Sequence, residues 1–186
     1  MYIAVIGTTL FSDLNGDLTY TALRLAALLG YLSLSGAVIM NLFKPEIKKI
    51  LGRPFLPIHH AFAITGLIPI TIHPILFAIL TSDLSVFFPD TSSLYFFFAT
   101  GGRVAIILIY VVLLAGLFRL TLKSYWKLIH RLIYPVMIIA IIHANIMGAT
   151  FQNAGIWALY NGLAIGILLT GIMRFNQRRR KLKMKK

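Results

Sequence analysis

The sequence predicts an all-α integral membrane protein, a bundle of about five transmembrane helices with its N-terminus outside and its C-terminus cytoplasmic. Three observations predict it. Of 186 residues, 59% are hydrophobic and only 12% are charged, whereas soluble domains are nearer half apolar and a quarter charged. Apolar runs near the ~20 residues that cross a bilayer fall at 20–43, 57–80, 103–122, 129–147 and 155–174. The connections between them divide by charge, as the termini of a multi-pass chain require.

Taken in order, the opening MYIAVIGTTLF is apolar but too short to span. It has no basic n-region, which argues against a signal peptide. Residues 1–19 are expected to form an interfacial segment on the outer side. The second span holds PIHHAFAITGLIPITIHPILF. The loop SDLSVFFPDTSSLYFFFATGG follows, rich in phenylalanine (Phe87, Phe88, Phe96, Phe97, Phe98), and reads as a short helix resting on the membrane. Within it TGGR at 100–103 reads as a loop leading into the third span. Trp126, Trp157 and Tyr125 fit aromatic belts. Gly162, Gly166 and Gly171 in the fifth span permit close helix packing. Residues 20–174 form the transmembrane domain, and 175–186 form a basic cytoplasmic tail.

Net charge is +13, and its location matters more than its size. KPEIKKILGR, RLTLKSYWKLIHR and RFNQRRRKLKMKK hold sixteen of the eighteen Lys and Arg, with only Arg24 and Arg103 elsewhere. Four of the five acids, Asp13, Asp17, Asp83 and Asp90, lie in the other segments. The positive-inside rule puts the basic set in the cytoplasm and the chain in the cell membrane. The basic tail reads as an orientation signal and anchor for anionic lipid, with docking of a cytoplasmic partner as the alternative; nucleic acid is not implied. Cysteine is absent, which excludes disulfides, thiolate metal sites and iron–sulfur ligation. No G-x-G-x-x-G follows a strand and no P-loop occurs. The chemistry therefore lies within the membrane or with a partner.

All five histidines lie in spans two and four: His59, His60 and His73 in one, His130 and His143 in the other. Ionisable groups in a membrane are costly and mark function. Thirteen or fourteen residues separate two side chains by ~20 Å along a helix, within a hydrocarbon core of ~30 Å. Spans two and four run in the same direction. His59 or His60 thus shares a level with His130, and His73 with His143. Facing imidazoles can clamp haem iron without covalent attachment, and two such levels make a path for electrons. Angle divides the pairs. Fourteen residues return to within ~40° of the starting face, whereas thirteen miss it by ~140°. Pro135 lies between His130 and His143 and can kink or rewind that helix. Periodicity favours His59 over His60; His60 can cap the helix, contact a propionate or receive a proton.

At these residues the sequence resembles the ferric reductase-like transmembrane domain. That group includes the membrane halves of NADPH oxidases and ferric reductases, and the haem-binding membrane subunit of the bacterial periplasmic methionine sulfoxide reductase system. WKLIHRLIY at 126–134 followed by His143 is similar to the family's W-x-x-L-H-R-L-x-Y with a second histidine thirteen on. In span two the family often has a histidine, a glycine four later, and a histidine fourteen from the first. His59, Ala63 and His73 stand there, with alanine a departure that keeps a small residue. The resemblance covers spans one to five. It implies two haem b groups, an inner one held by His59 and His130 and an outer one held by His73 and His143. It also implies an electron-transfer subunit of an oxidoreductase, working between a cytoplasmic flavoprotein (FAD or FMN) or quinol and an acceptor outside. The fused flavin and nicotinamide domain of the oxidases is missing.

Haem propionates need cationic or hydrogen-bonding partners. Arg103 and Arg24 are candidates at the outer level, and Arg53 and Arg131 at the inner level, where boundary arginines also snorkel to headgroups. Two other functions fit the composition. The histidines can serve a proton, zinc or copper transporter, although the ~20 Å between levels forbids a single four-histidine site. The chain can also be a membrane anchor for a larger redox complex.

Overall fold

The computed structural model describes all residues except 13–16, 53, 185 and 186, with the backbone alone at 11, 12, 181 and 182. Among the described residues there are nine α-helices and no strand. In order they are α1 (Tyr2–Ser12), α2 (Leu18–Ile39), α3 (Lys44–Leu51), α4 (Phe55–Thr81), α5 (Leu94–Ala99), α6 (Gly101–Leu117), α7 (Trp126–His130), α8 (Ile133–Met147) and α9 (Ala154–Lys183).

Polar residues at the connections set the helix ends. Asp17 starts α2 by accepting the Thr19 amide at 2.8 Å, and Asn153 starts α9 by accepting the amides of Gly155 and Ile156. Gly52 stops α3 in the left-handed conformation at φ 63°. Four helical segments have the length and apolarity to cross a membrane: Leu18–Leu51, Phe55–Thr81, Trp126–Met147 and Ala154–Arg180.

The expected third span is shorter than the sequence reading. The structure ends α6 at Leu117, giving 17 residues, about 26 Å at the usual rise. That is the lower end of what crosses a bilayer. From Phe118 to Tyr125 the chain turns, with Lys123 at φ 49°. RLTLKSY combines charge with Thr and Ser, whose side chains compete with helical backbone bonds.

Helix α2 is the hub. It runs antiparallel to α4, and the two touch most closely where Gly30 meets Gly66. A Cβ on Gly66 would lie 2.9 Å from the Gly30 carbonyl oxygen, and one on Gly30 would lie 2.9 Å from the Ile70 nitrogen. Only glycine on both helices permits that approach. The glycines of α9 do less: Gly166 lies near Ile39 and Gly171 near Tyr134, but Gly162 faces nothing within 4 Å. Helix α9 is tied in by the buried Tyr160, whose hydroxyl donates to the Leu28 carbonyl at 2.9 Å. Tyr31 donates to Met137 at 3.3 Å, joining α2 to α8. At the other end the Arg174 guanidinium donates to the carbonyl oxygen of Asn41, just beyond the end of α2.

Helix α1 packs along α2. Val5 and Thr9, four apart, are both fully buried, and the Tyr2 hydroxyl lies 2.8 Å from Ser33 Oγ, deep in α2. It runs back along α2 because that stripe is apolar or self-satisfied: Thr9 returns its hydroxyl to the Val5 carbonyl. By contrast α4 turns Ile64, Ile68, Ile72, Ile75 and Ile79 outward, as a helix facing lipid does.

Candidate functional site

Four of the five histidines sit in one repeated environment. On α4, His59 Nδ1 lies 3.0 Å from the Ala37 carbonyl oxygen, and His73 Nδ1 lies 3.0 Å from that of Leu23. On α7 and α8, His130 Nδ1 lies 3.2 Å from the Val112 oxygen and His143 Nδ1 lies 2.6 Å from that of Ala99. A carbonyl only accepts, so Nδ1 must carry the proton in all four. The Nε2 lone pair is then left for another partner. Metal-ligating histidines show this arrangement, with the distal nitrogen fixing tautomer and ring orientation.

Register explains the intervals. His59 and His73 are fourteen positions apart, and so are their acceptors Leu23 and Ala37. Gly30 and Gly66 lie midway, seven from each end. His130 and His143 are thirteen apart, and so are Ala99 and Val112. Each pair is therefore locked to an antiparallel neighbour with a matching step. The angular mismatch of the thirteen-residue pair is reduced at Arg131–Tyr134. There the amides of Arg131, Leu132 and Tyr134 bond three residues back, not four, and Pro135 has no amide to give. Such turns advance ~120° per residue where an α-helix advances ~100°, which trims the ~140° miss to roughly 80°.

The levels differ in surroundings. At the first, the rings of His59 and His130 stand 6.3 Å apart between centroids, inclined at 66°. With metal–imidazole bonds of ~2 Å on each side, two rings bound to one ion stand about 6 Å apart, so this pair fits axial ligation. His60 is exposed; its ring lies 5.9 Å from His59, and it shares no carbonyl bond of this kind among the described residues. At the second level His73 and His143 line one cavity of about 370 Å³, with Arg24, Arg103, Thr100 and Tyr31 also on its wall. Its size and its mostly apolar lining suit a cofactor. Among the described residues no group of three or more His, Asp or Glu could hold a metal ion. His59 and His130 come together as one pair, and His73 and His143 line one cavity as another; each pair would offer two imidazole ligands to a cofactor.

The arginines divide similarly. Arg103 reaches across the cavity wall and donates to the carbonyls of Ser85 and Phe88 at 2.9 and 2.7 Å, pinning the loop after α4. Arg24 lines the same cavity. Arg131 is exposed and folds back onto the Lys127 carbonyl at 2.9 Å; Arg53 lies outside the described residues. On the pinned loop, hydrogen bonds from the Ser85 hydroxyl and amide hold the Asp83 carboxyl below its usual range, with the Arg103 charge adding to them.

Sequence reasoning missed Gly102. The TGGR segment is more than a loop: Gly101 and Gly102 are the first residues of α6, and a Cβ on Gly102 would lie 2.9 Å from His143 Nε2. The absent side chain is what lets the imidazole lie there. Its signal was the glycine pair itself at the mouth of an apolar span, where nothing else needed one. Gly102→Ala is expected to displace the His143 ring and weaken ligand binding at that level alone. Comparing the bound-ligand spectrum of the variant with that of the parent checks it; equal perturbation of both levels would contradict the assignment.

Fold and site together define a multi-pass α-helical membrane protein in which His59 lies near His130 and His73 and His143 line one cavity. The chain belongs to a family within that class, the ferric reductase like transmembrane component family, whose model matches residues 18–141. His143 and α9 follow the matched segment. Comparisons with curated proteins and with solved structures gave no match.

Proposed function

We propose that this protein is a di-haem b transmembrane electron carrier, the electron-transfer subunit of an oxidoreductase in the cell membrane. The observation that carries the reading is the fourfold Nδ1–H bond to a backbone carbonyl, which leaves the Nε2 lone pair of each ring for another partner. Membership of a ferric reductase-like family supports it. His59 and His130 would hold the inner haem, and His73 and His143 the outer one. When bound, haem b supplies a one-electron couple whose potential depends on axial ligands, burial and hydrogen bonding. The carbonyls of Ala37, Val112, Leu23 and Ala99 would fix the tautomer and orientation of the imidazoles. Arg24 and Arg103, on the wall of the outer cavity, offer cations to propionates. The apolar helices exclude water between levels ~20 Å apart.

The charge division supports an N-terminus outside and a basic, cytoplasmic C-terminal end. Electrons would then enter at the His59–His130 level, from a flavoprotein or quinol, and leave from the His73–His143 level to an outer acceptor. The test is the visible spectrum of the purified chain, oxidised and dithionite-reduced, with haem counted per polypeptide. Two six-coordinate, low-spin haems b are expected. A folded, haem-supplied preparation without a Soret band would refute the reading and favour a histidine-based transporter.

A further inference from the structure

We propose that the end of the bundle bearing His59 and His130 is a docking surface for a protein with an acidic face, centred on Phe55 and Trp126. The inference rests on the di-haem reading and names the kind of partner that reading requires.

Four rings form a continuous row there. Phe55 stacks on His59 at 5.4 Å between centroids, inclined at 24°. His59 faces His130 at 6.3 Å. His130 meets Trp126 edge-on at 5.8 Å. Each aromatic residue stands four positions before its histidine, one helical turn nearer the basic end. A lysine closes the row on both sides: Lys44 Nζ lies 4.7 Å from the centre of the Phe55 ring, and Lys127 Nζ 5.8 Å from that of Trp126. Phe55 and Trp126 are partly exposed, and both lysines are exposed. The paired histidines are thus linked to the surface by two aromatic contacts, each marked by a cation.

The surrounding charge is one-sided. The three basic segments hold sixteen Lys and Arg against a single acid, Glu46. Anionic lipid could neutralise part of it, but not the tail. Helix α9 continues unbroken from the apolar segment to Lys183. Arg178, Arg179 and Arg180 are all exposed on it, and successive residues point ~100° apart. A flat bilayer surface faces one side of such a helix, whereas a protein resting on the bundle end meets the tail, α3 and the two lysines together. Complementary charge there raises the association rate and fixes the orientation of docking. A reduced flavin in such a partner would supply electrons one at a time, each reducing a ferric haem at the inner level to ferrous, with the flavin oxidised and its protons released to water.

The test is binding, which is read without electron transfer. The full chain is placed in nanodiscs of phosphatidylcholine alone, so that anionic lipid is absent. Oxidised flavodoxin carrying a fluorescent label serves as the acidic probe, followed by anisotropy. Saturable binding that weakens as salt rises is expected, with roughly ten- to hundredfold loss in K44E/K127E, in the range that charge steering spans. Helical circular dichroism checks that the variant folds. Should charge reversal prevent folding, K44Q/K127Q is expected to lose severalfold. Binding unchanged in both variants, or seen only with phosphatidylserine vesicles and not with the protein probe, would overturn the proposal. Absence of haem would instead defeat the electron-transfer reading, and the anisotropy titration would still report on docking.

Discussion

The His143→Ala chain is expected to bind one haem where the parent binds two, and His73→Ala is expected to lose the same one. His59→Ala and His130→Ala are expected to lose the other. Removing one ligand leaves the facing imidazole unable to hold a six-coordinate iron, so each single change should cost about half of the Soret absorbance. Combining one change from each level should abolish it. Loss of the ring's hydrogen bond to a carbonyl costs only about 1 kcal/mol, so the bundle itself should persist. His60→Ala is the control, because His60 is exposed and has no part in the carbonyl register. Haem counted per polypeptide in the five variants checks the assignment. Retention of both haems in His59→Ala with loss in His60→Ala would move the inner ligand one residue along.

The second large effect lies where no ligand is. Gly66→Val would put side-chain atoms into a space where even a Cβ meets the Gly30 oxygen and the Leu34 nitrogen at 2.9 Å. Both of those are backbone atoms on α2, so relief requires the helices to part or slide. Overpacking of this kind costs typically ~1–3 kcal/mol. The functional cost should be larger, because Gly66 is midway between His59 and His73. Separating α2 from α4 there pulls both histidines from Ala37 and Leu23 at once. Loss of both haems together is expected from this one substitution, with Gly66→Ala milder and Gly162→Ala silent, since nothing lies within 4 Å of Gly162. A Gly66→Val chain that loses only one haem would show that the two levels are positioned independently.

Much of this was legible in the sequence because membrane helices are long, apolar and interrupted by charge. The four long spans and the restriction of histidine to two of them needed no coordinates. What resisted reading was local. The thirteen-residue interval looked wrong on an ideal helix, because three amides at 131, 132 and 134 that tighten the turn have no signature beyond Pro135. His59 and His60 are neighbours, and what separates them is a carbonyl on another helix, Ala37. Gly30 and Gly66 look like ordinary membrane glycines, while the α9 glycines form a more conspicuous series, yet the close crossing is at the former. The length of α6 depended on where a polar turn begins, and the position of α1 on a hydroxyl pair, Tyr2 with Ser33. Each is a tertiary decision at a site where local preference is weak.

The matched steps of fourteen and thirteen residues also constrain how this sequence can change over generations. Deleting one residue between His59 and His73 turns everything beyond it by ~100° and shortens the helix by ~1.5 Å, which carries the second imidazole off its carbonyl. Deleting one residue from α2 as well, between Leu23 and Ala37, restores the matching rise but not the turn, which needs tightened turns such as those at Arg131–Tyr134. Each hairpin therefore tolerates insertions and deletions only as coordinated pairs, one in each helix. Because His59 must also meet His130 and His73 must share a level with His143, neither hairpin can change its length far without the other.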